Sequence, residues 1–499
     1  MEPRLRAVCD LMVPFVRENA GLHQYDGVIQ DLSPDGVRAG LARLPDTASP
    51  GDHDEAHLLT FEDMLRVTFG ELEDHRTNPL VHLDNLDLSV YDREYAPAED
   101  REAARRRHLA AWPDAVDMAL ASLDRVSQPT AASLVDAVAG LASGLDESDP
   151  VAAAGLAAQQ RLVAHLKRAA ADGDPDPAIG ATGLTRLLGS SEAIDVDLGA
   201  LARQADADRD RLAAELEDVC GELAPAQPVG EVIDSLLADH PDADGVVDEA
   251  RAQVEEAVAF THERDLVPGL DGECLVGPTP PARRWAFAMM AWAGPYEPDA
   301  PSWYHITPPD TAWPAEQQEE WLEAFNRTTL PAITVHEVAP GHFAHGRVLR
   351  RVRTDVRKTL LSLSFVEGWA HYAEQLCVEE GFRADDHRFQ AGVAIEALVR
   401  VTRLAVSIGL HSGQMSMREA AHRFEQDAHL KGPAARSEAA RATFDPTYGR
   451  YTWGKLEILR LREQARSAWG VDYSHQRFHK ELLDLGAPPL GLMASGLGL

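Results

Sequence analysis

Along most of the chain apolar residues return every three or four positions with polar or small residues between them, the signature of one-faced helices. Ser133 to Leu145 and Leu198 to Leu223 show it most clearly, and their alanine content favours the same state. Turn residues cluster at Asp146–Pro150, Ala171–Gly180, Ala224–Gly230 and Asp239–Gly245, which predicts loops between helices. Between Glu273 and Pro308 the texture changes. There Cys274–Val276, Trp285–Trp292 and Trp303–Thr307 are apolar or aromatic and punctuated by Gly and Pro, as in short strands of one small sheet. Helical periodicity then resumes to the end. The pattern predicts a mainly α protein with one small β-sheet next to the helix that carries His336. Residues 1–259 are expected to form a helical N-terminal part and residues 260–499 a metal-binding catalytic part, interlocked in one compact body.

Charge narrows the functions. The chain of 499 residues carries 47 Lys+Arg against 81 Asp+Glu, a formal charge of −34. A nucleic-acid surface needs clustered Lys and Arg to neutralise phosphates, so that class of partner is excluded. Lysine is nearly absent, and an acid excess of this size points to a halophilic source, where concentrated salt screens self-repulsion. Four scattered cysteines, Cys9, Cys220, Cys274 and Cys377, form no CxxC pair and suit a reducing compartment. Charged residues interrupt every apolar stretch before a membrane span is reached, so a cytoplasmic protein without a membrane partner is expected.

The most unusual segment is His336-Glu337-Val338-Ala339-Pro340-Gly341-His342. Zinc hydrolases commonly place two histidines one helical turn apart, with a glutamate after the first as general base. Here the second histidine is two positions late. On a regular helix the pair would stand about 120° apart around the axis and about 9 Å along it. Pro340 and Gly341 lie inside the interval, however, and predict a two-residue bulge that returns His342 to the face of His336. The rival pair His342 and His345 needs no bulge. A third ligand is expected from a second helix, where Glu367, His371 and Glu374 fall on one stripe. Glu367 completes a set that leaves room for water, and His371 or Glu374 can orient a ligand from behind.

Further along, Arg403, Ser407 and His411 form a narrow polar stripe. His411 and Tyr451 are candidates to stabilise an oxyanion, and Arg403 to bind a peptide carboxylate. Tyr304 is a candidate to hold substrate backbone, since a short edge strand can pair with an extended peptide. Two segments are set aside. Gly449 to Lys455 matches GxxxxGK but is followed by Leu456, which offers no hydroxyl to magnesium. His53 and His57, at helical spacing in a Gly/Asp-rich stretch without a third ligand, are expected in a solvated turn.

HEVAPGH followed by FVEGWAHYAE resembles the HExxPGH and EGWAxYxE pair of the zincin-like family known as domain of unknown function 885. PSWYHIT, RVTRLAVSIGLH, YTWGKLEILRLR and FHKELLDLGAPPL resemble family segments in the same order. The resemblance implies a helical fold of the metallopeptidase superfamily, with His336, His342 and Glu367 as ligands and Glu337 as base. The chain departs from the family pattern at His345, where Gln is usual, and at Ser407, where Asp is usual. The expectation is a hydrolase with one Zn2+ per chain, a metallopeptidase cleaving short peptides. The alternatives are an amidase or esterase acting on a small non-peptide substrate, and a helical binding protein with a decayed site. The oligomeric state is left open.

Overall fold

The computed structural model describes residues 1–45, 51–279 and 287–499. It is mainly helical, with one three-stranded sheet among the described residues. Helix α1, Leu198–Leu223, starts where Asp197 accepts the backbone N–H of Ala200. It buries Leu201, Ala205, Leu212, Leu216 and Val219, the apolar face that the periodicity predicts. The breaks expected after residues 145, 170, 223 and 238 all separate helices.

Strands β1 (Cys274–Pro278), β2 (Ala288–Ala291) and β3 (Ser302–Ile306) form a sheet in the order β1-β3-β2. β1 runs parallel to β3, with Cys274 opposite Ser302, and β2 runs antiparallel to it, with Met290 opposite Tyr304. The strand expected at Trp285–Trp292 is shorter, and its first two residues lie outside the described ones.

Six further helices carry the site: α2 (Leu330–Glu337), α3 (His342–Leu349), α4 (Leu363–Glu379), α5 (His387–His411), α6 (Gly432–Arg441) and α7 (Arg450–Trp469). α5 is buried on almost every side, which explains its continuous apolar sequence. α4 and α7 cross backbone against backbone. A Cβ on Gly454 would stand 1.9 Å from the Ser364 carbonyl oxygen, and one on Gly368 would stand 2.5 Å from Gly454. One large core reaches from Leu184 to Met493 across these helices, and two smaller cores belong largely to the first 170 residues.

One expectation fails here. His53 to His57 does not form a solvated turn. Asp52 caps a helix over His53–Leu65, and His57 is fully buried against Phe61. The turn-forming Asp and Gly residues serve as the helix start rather than as a loop.

Candidate metal centre

α2 ends at Glu337 and α3 begins at His342, so the histidines belong to two helices rather than one. Across the junction Gly341 N–H donates to Val335 O at 3.2 Å and Ala344 N–H to Val338 O at 3.0 Å. These bonds span six residues instead of four, which absorbs two residues as the Pro-Gly pair predicts. Gly341 is required there, because a Cβ would fall 1.9 Å from the His336 carbonyl oxygen. From α4, Trp369 donates its indole N–H to Pro340 O at 2.9 Å and pins the junction. The two imidazoles end with centroids 4.8 Å apart and planes nearly perpendicular.

Glu367 on α4 meets both rings. Its Oε2 lies 3.4 Å from His336 Nε2 and 3.4 Å from His342 Nε2. Among the described residues, this is the one group of three His, Cys, Asp or Glu side chains whose donor atoms all come within 4.8 Å of one another. Behind it, His336 Nδ1 donates to Glu374 Oε1 at 2.6 Å, which turns Nε2 towards Glu367. Burial and Arg400 push His336 down, but Glu367 and Glu374 outweigh them and raise it to about 9. Burial likewise pushes Glu367 up, and the two imidazoles pull it well below the usual carboxylate range. Glu337 reaches the other way: its Oε2 accepts the backbone N–H of Met290 on β2 at 2.9 Å. The sheet thereby fixes the carboxylate next to the first histidine.

Residues 14–497 match the family described as bacterial protein of unknown function (DUF885). The chain belongs to that family. Two solved structures share its fold. A "putative lipoprotein of unknown function" from Shewanella oneidensis superposes with a TM-score of 0.77 at 19% identity, covering 98% of this chain and 97% of that one. A "putative lipoprotein" from Colwellia psychrerythraea gives 0.78 at 15% identity, covering 99% and 98%. No curated protein matches the chain. No described helix is long and apolar enough to cross a membrane.

The other candidate residues of this DUF885 chain divide. Tyr451 lies at the site, its ring nearly parallel to His336 at 6.1 Å, with the Arg403 guanidinium 5.2 Å above it. Glu374 stands behind His336, and His371 stands one step further out, Nδ1 3.5 Å from Glu374 Oε2. Burial and the charge of Lys455 push His371 down to about 3. Arg403 is not free for a substrate carboxylate: Nε and Nη2 donate to both oxygens of Glu438 on α6 at 2.8 and 2.7 Å. His345 turns away, Nε2 donating to Gly486 O at 3.1 Å, so the His342/His345 pair does not form.

Two candidates are displaced. His411 lies eleven residues beyond Arg400, about 16 Å along α5. Its Nε2 bonds Ala442 O at 2.9 Å and its Nδ1 accepts the Ile179 N–H at 3.4 Å, so it ties loops together instead of facing the cluster. Tyr304 sits on β3, the central strand, so no edge is open beside it. Its ring is fully buried against α2, with the hydroxyl 3.4 Å from Thr334 Oγ1. The residues that sequence reasoning missed are Arg400 and Glu396. Arg400 Nη1 lies 3.2 Å from Glu374 Oε2 and 3.3 Å from Glu396 Oε2. The signal was present: Glu396, Arg400 and Arg403 continue the polar stripe of α5 towards its N-terminus.

Proposed function

We propose that the protein is a zinc-dependent hydrolase, a metallopeptidase that cleaves short peptides. The supporting observation is the convergence of His336 Nε2, His342 Nε2 and Glu367 Oε2 on one point, next to a glutamate held by the sheet. Glu367 Oε2 is buried without a hydrogen-bond partner, and Nδ1 of His336 is committed to Glu374. Zinc bonds of about 2.0–2.2 Å in a tetrahedron give ligand separations of about 3.3–3.6 Å. The 3.4 Å spacings of Glu367 from both histidines fit that edge.

His336, His342 and Glu367 would hold the ion, which when bound supplies Lewis acidity and a more acidic water. Glu337 accepts a proton from the attacking water and returns it to the leaving amine. Its bond from Met290 N–H keeps one oxygen oriented while the other works. Tyr451 offers a phenol to the developing oxyanion. Glu374, fixed by Arg400, holds the His336 ring in a single tautomer.

The test is hydrolysis of a short-peptide library by zinc-loaded protein, read by mass spectrometry, alongside Glu337→Gln. Wild type is expected to cleave, and the variant to lose about 10²–10⁴-fold in kcat while keeping its zinc. A folded, stoichiometrically loaded wild type that cleaves no peptide refutes the proposal, and cleavage of small amides alone replaces peptides as the substrate.

A further inference from the structure

The lysine that ends the Gly449–Lys455 segment is enclosed by the protein. Lys455 on α7 is 1% exposed, and among the described residues nothing hydrogen-bonds its ammonium or forms an ion pair with it. A Cβ on Gly368 would stand 2.9 Å from the Lys455 backbone nitrogen, so the glycine crossing sets Lys455 beside the stretch of α4 that leads to His371. His371 is fully buried, with Nδ1 facing Glu374 Oε2 at 3.5 Å and Nε2 without a hydrogen-bond partner. Asp208 on α1 is buried as well. Its Oδ1 accepts from Arg211 Nε and Nη2 at 3.0 and 2.6 Å, and its Oδ2 has no partner. Burial pushes Lys455 down, against the pull of Asp208. Burial pushes Asp208 up, and Lys455 and Arg211 outweigh it. Burial and Lys455 together keep His371 neutral, at about 3.

Leaving an ammonium, a carboxylate oxygen and a ring nitrogen buried and unbonded is costly, and polar groups that influence one another without touching are joined in folded proteins by ordered water. The donors and acceptors specify the bridge. Lys455 can only donate, Asp208 Oδ2 can only accept, and a neutral His371 whose Nδ1–H faces a carboxylate offers Nε2 as an acceptor. One hydrogen bond received and two given describe a water molecule. A halide could not donate to Asp208, and a second cation would be repelled by Lys455. We propose that a water molecule is bound between Lys455, Asp208 and His371 and donates to His371 Nε2, so that Lys455 fixes the ring tautomer that faces Glu374. The chain behind the candidate centre then runs from His336 through Glu374 and His371 to the water, Lys455 and Asp208, and ends at Arg211, whose side chain is 40% exposed. Lys455 is a positioning residue in it. The inference holds with or without a metal and stands apart from the peptidase function proposed above.

The test is a high-resolution crystal structure of the full-length protein together with the nitrogen NMR spectrum of the His371 ring, identified by its loss in His371→Gln. The expected density is one ordered oxygen within about 3.2 Å of Lys455 Nζ, Asp208 Oδ2 and His371 Nε2. The expected spectrum is that of a neutral ring protonated at Nδ1. In Lys455→Met, which keeps an unbranched side chain of similar length, the ring is expected to become a mixture of tautomers. No density between the three residues, a direct contact of Lys455 Nζ with Asp208 Oδ2, or an anomalous peak there in bromide-soaked crystals overturns the water. A proton on Nε2 in wild type, or a spectrum unchanged in Lys455→Met, overturns the tautomer and with it the role of Lys455. Should Lys455→Met fail to fold, the density and the spectrum of wild type still decide.

Discussion

Two pairs of histidines in this chain invert what their spacing suggests. His53 and His57 stand at i, i+4 on a regular helix, the interval that brings two imidazoles to one face, yet among the described residues no third donor joins them. Asp54, beside His53 in the sequence, is bonded to Arg357 at 2.6 Å, and burial drives His57 down to about 3. His336 and His342, at an interval a regular helix cannot use, meet because the helix breaks between them. They also have what the other pair lacks: Glu367 in front and Glu374 behind. A shared face is thus the lesser requirement. An acid that reaches both rings, and a second acid that decides where the proton sits, separate a candidate centre from a buried pair.

The comparison breaks most decisively at the ligands. His336→Ala is expected to weaken zinc binding by more than about 100-fold, beyond the range usual for losing an outer partner. His53→Ala is expected to leave affinity unchanged; titration against a chelating dye measures both, and equal loss in the two variants would erase the distinction. The next effect in size concerns the acid behind. Glu374→Gln keeps the shape but removes the charge that holds the His336 proton, and about 10–100-fold weaker zinc binding is expected in the same titration. The smallest effect sharpens the other pair. His57 is held neutral in the fold, about 3 against an ordinary 6.5, so the unfolded chain gains a proton that the folded chain refuses. Stability attributable to this residue is whole well above pH 6.5 and declines as the pH falls through it, by about 1.0 kcal/mol between pH 6.5 and 5.5. Denaturant unfolding across that interval should flatten by that amount in His57→Phe, and an unchanged slope would show that His57 is not held neutral.

The sequence exposed what is local. Alternation at three and four positions marked α1 to its ends, and the Pro340-Gly341 pair announced both the break and the return of His342. Glu367 and Glu374 were visible because one helix face carries them both. What escaped depends on which surfaces meet. Nothing in the string shows that β3 lies between its neighbours, so Tyr304 looked available when it is enclosed. The stripe on α5 is legible, with Arg403 and His411 as its predicted working residues. Only the docking of α4 against α5 shows that Arg400 reaches Glu374, while the far end of the stripe binds the loop at Ala442.

The glycine crossing of α4 and α7 carries a consequence for how such a protein can diverge. With 1.9 Å between a Cβ on Gly454 and the Ser364 carbonyl oxygen, neither helix can slide or take a larger residue without parting from the other. Glu367 and Tyr451 are therefore locked at a fixed separation, as if machined from one block. Divergence is left to the neighbouring helices α5 and α6, where exchanging a charged pair such as Arg403 and Glu438 changes the surroundings of Tyr451 without disturbing the crossing.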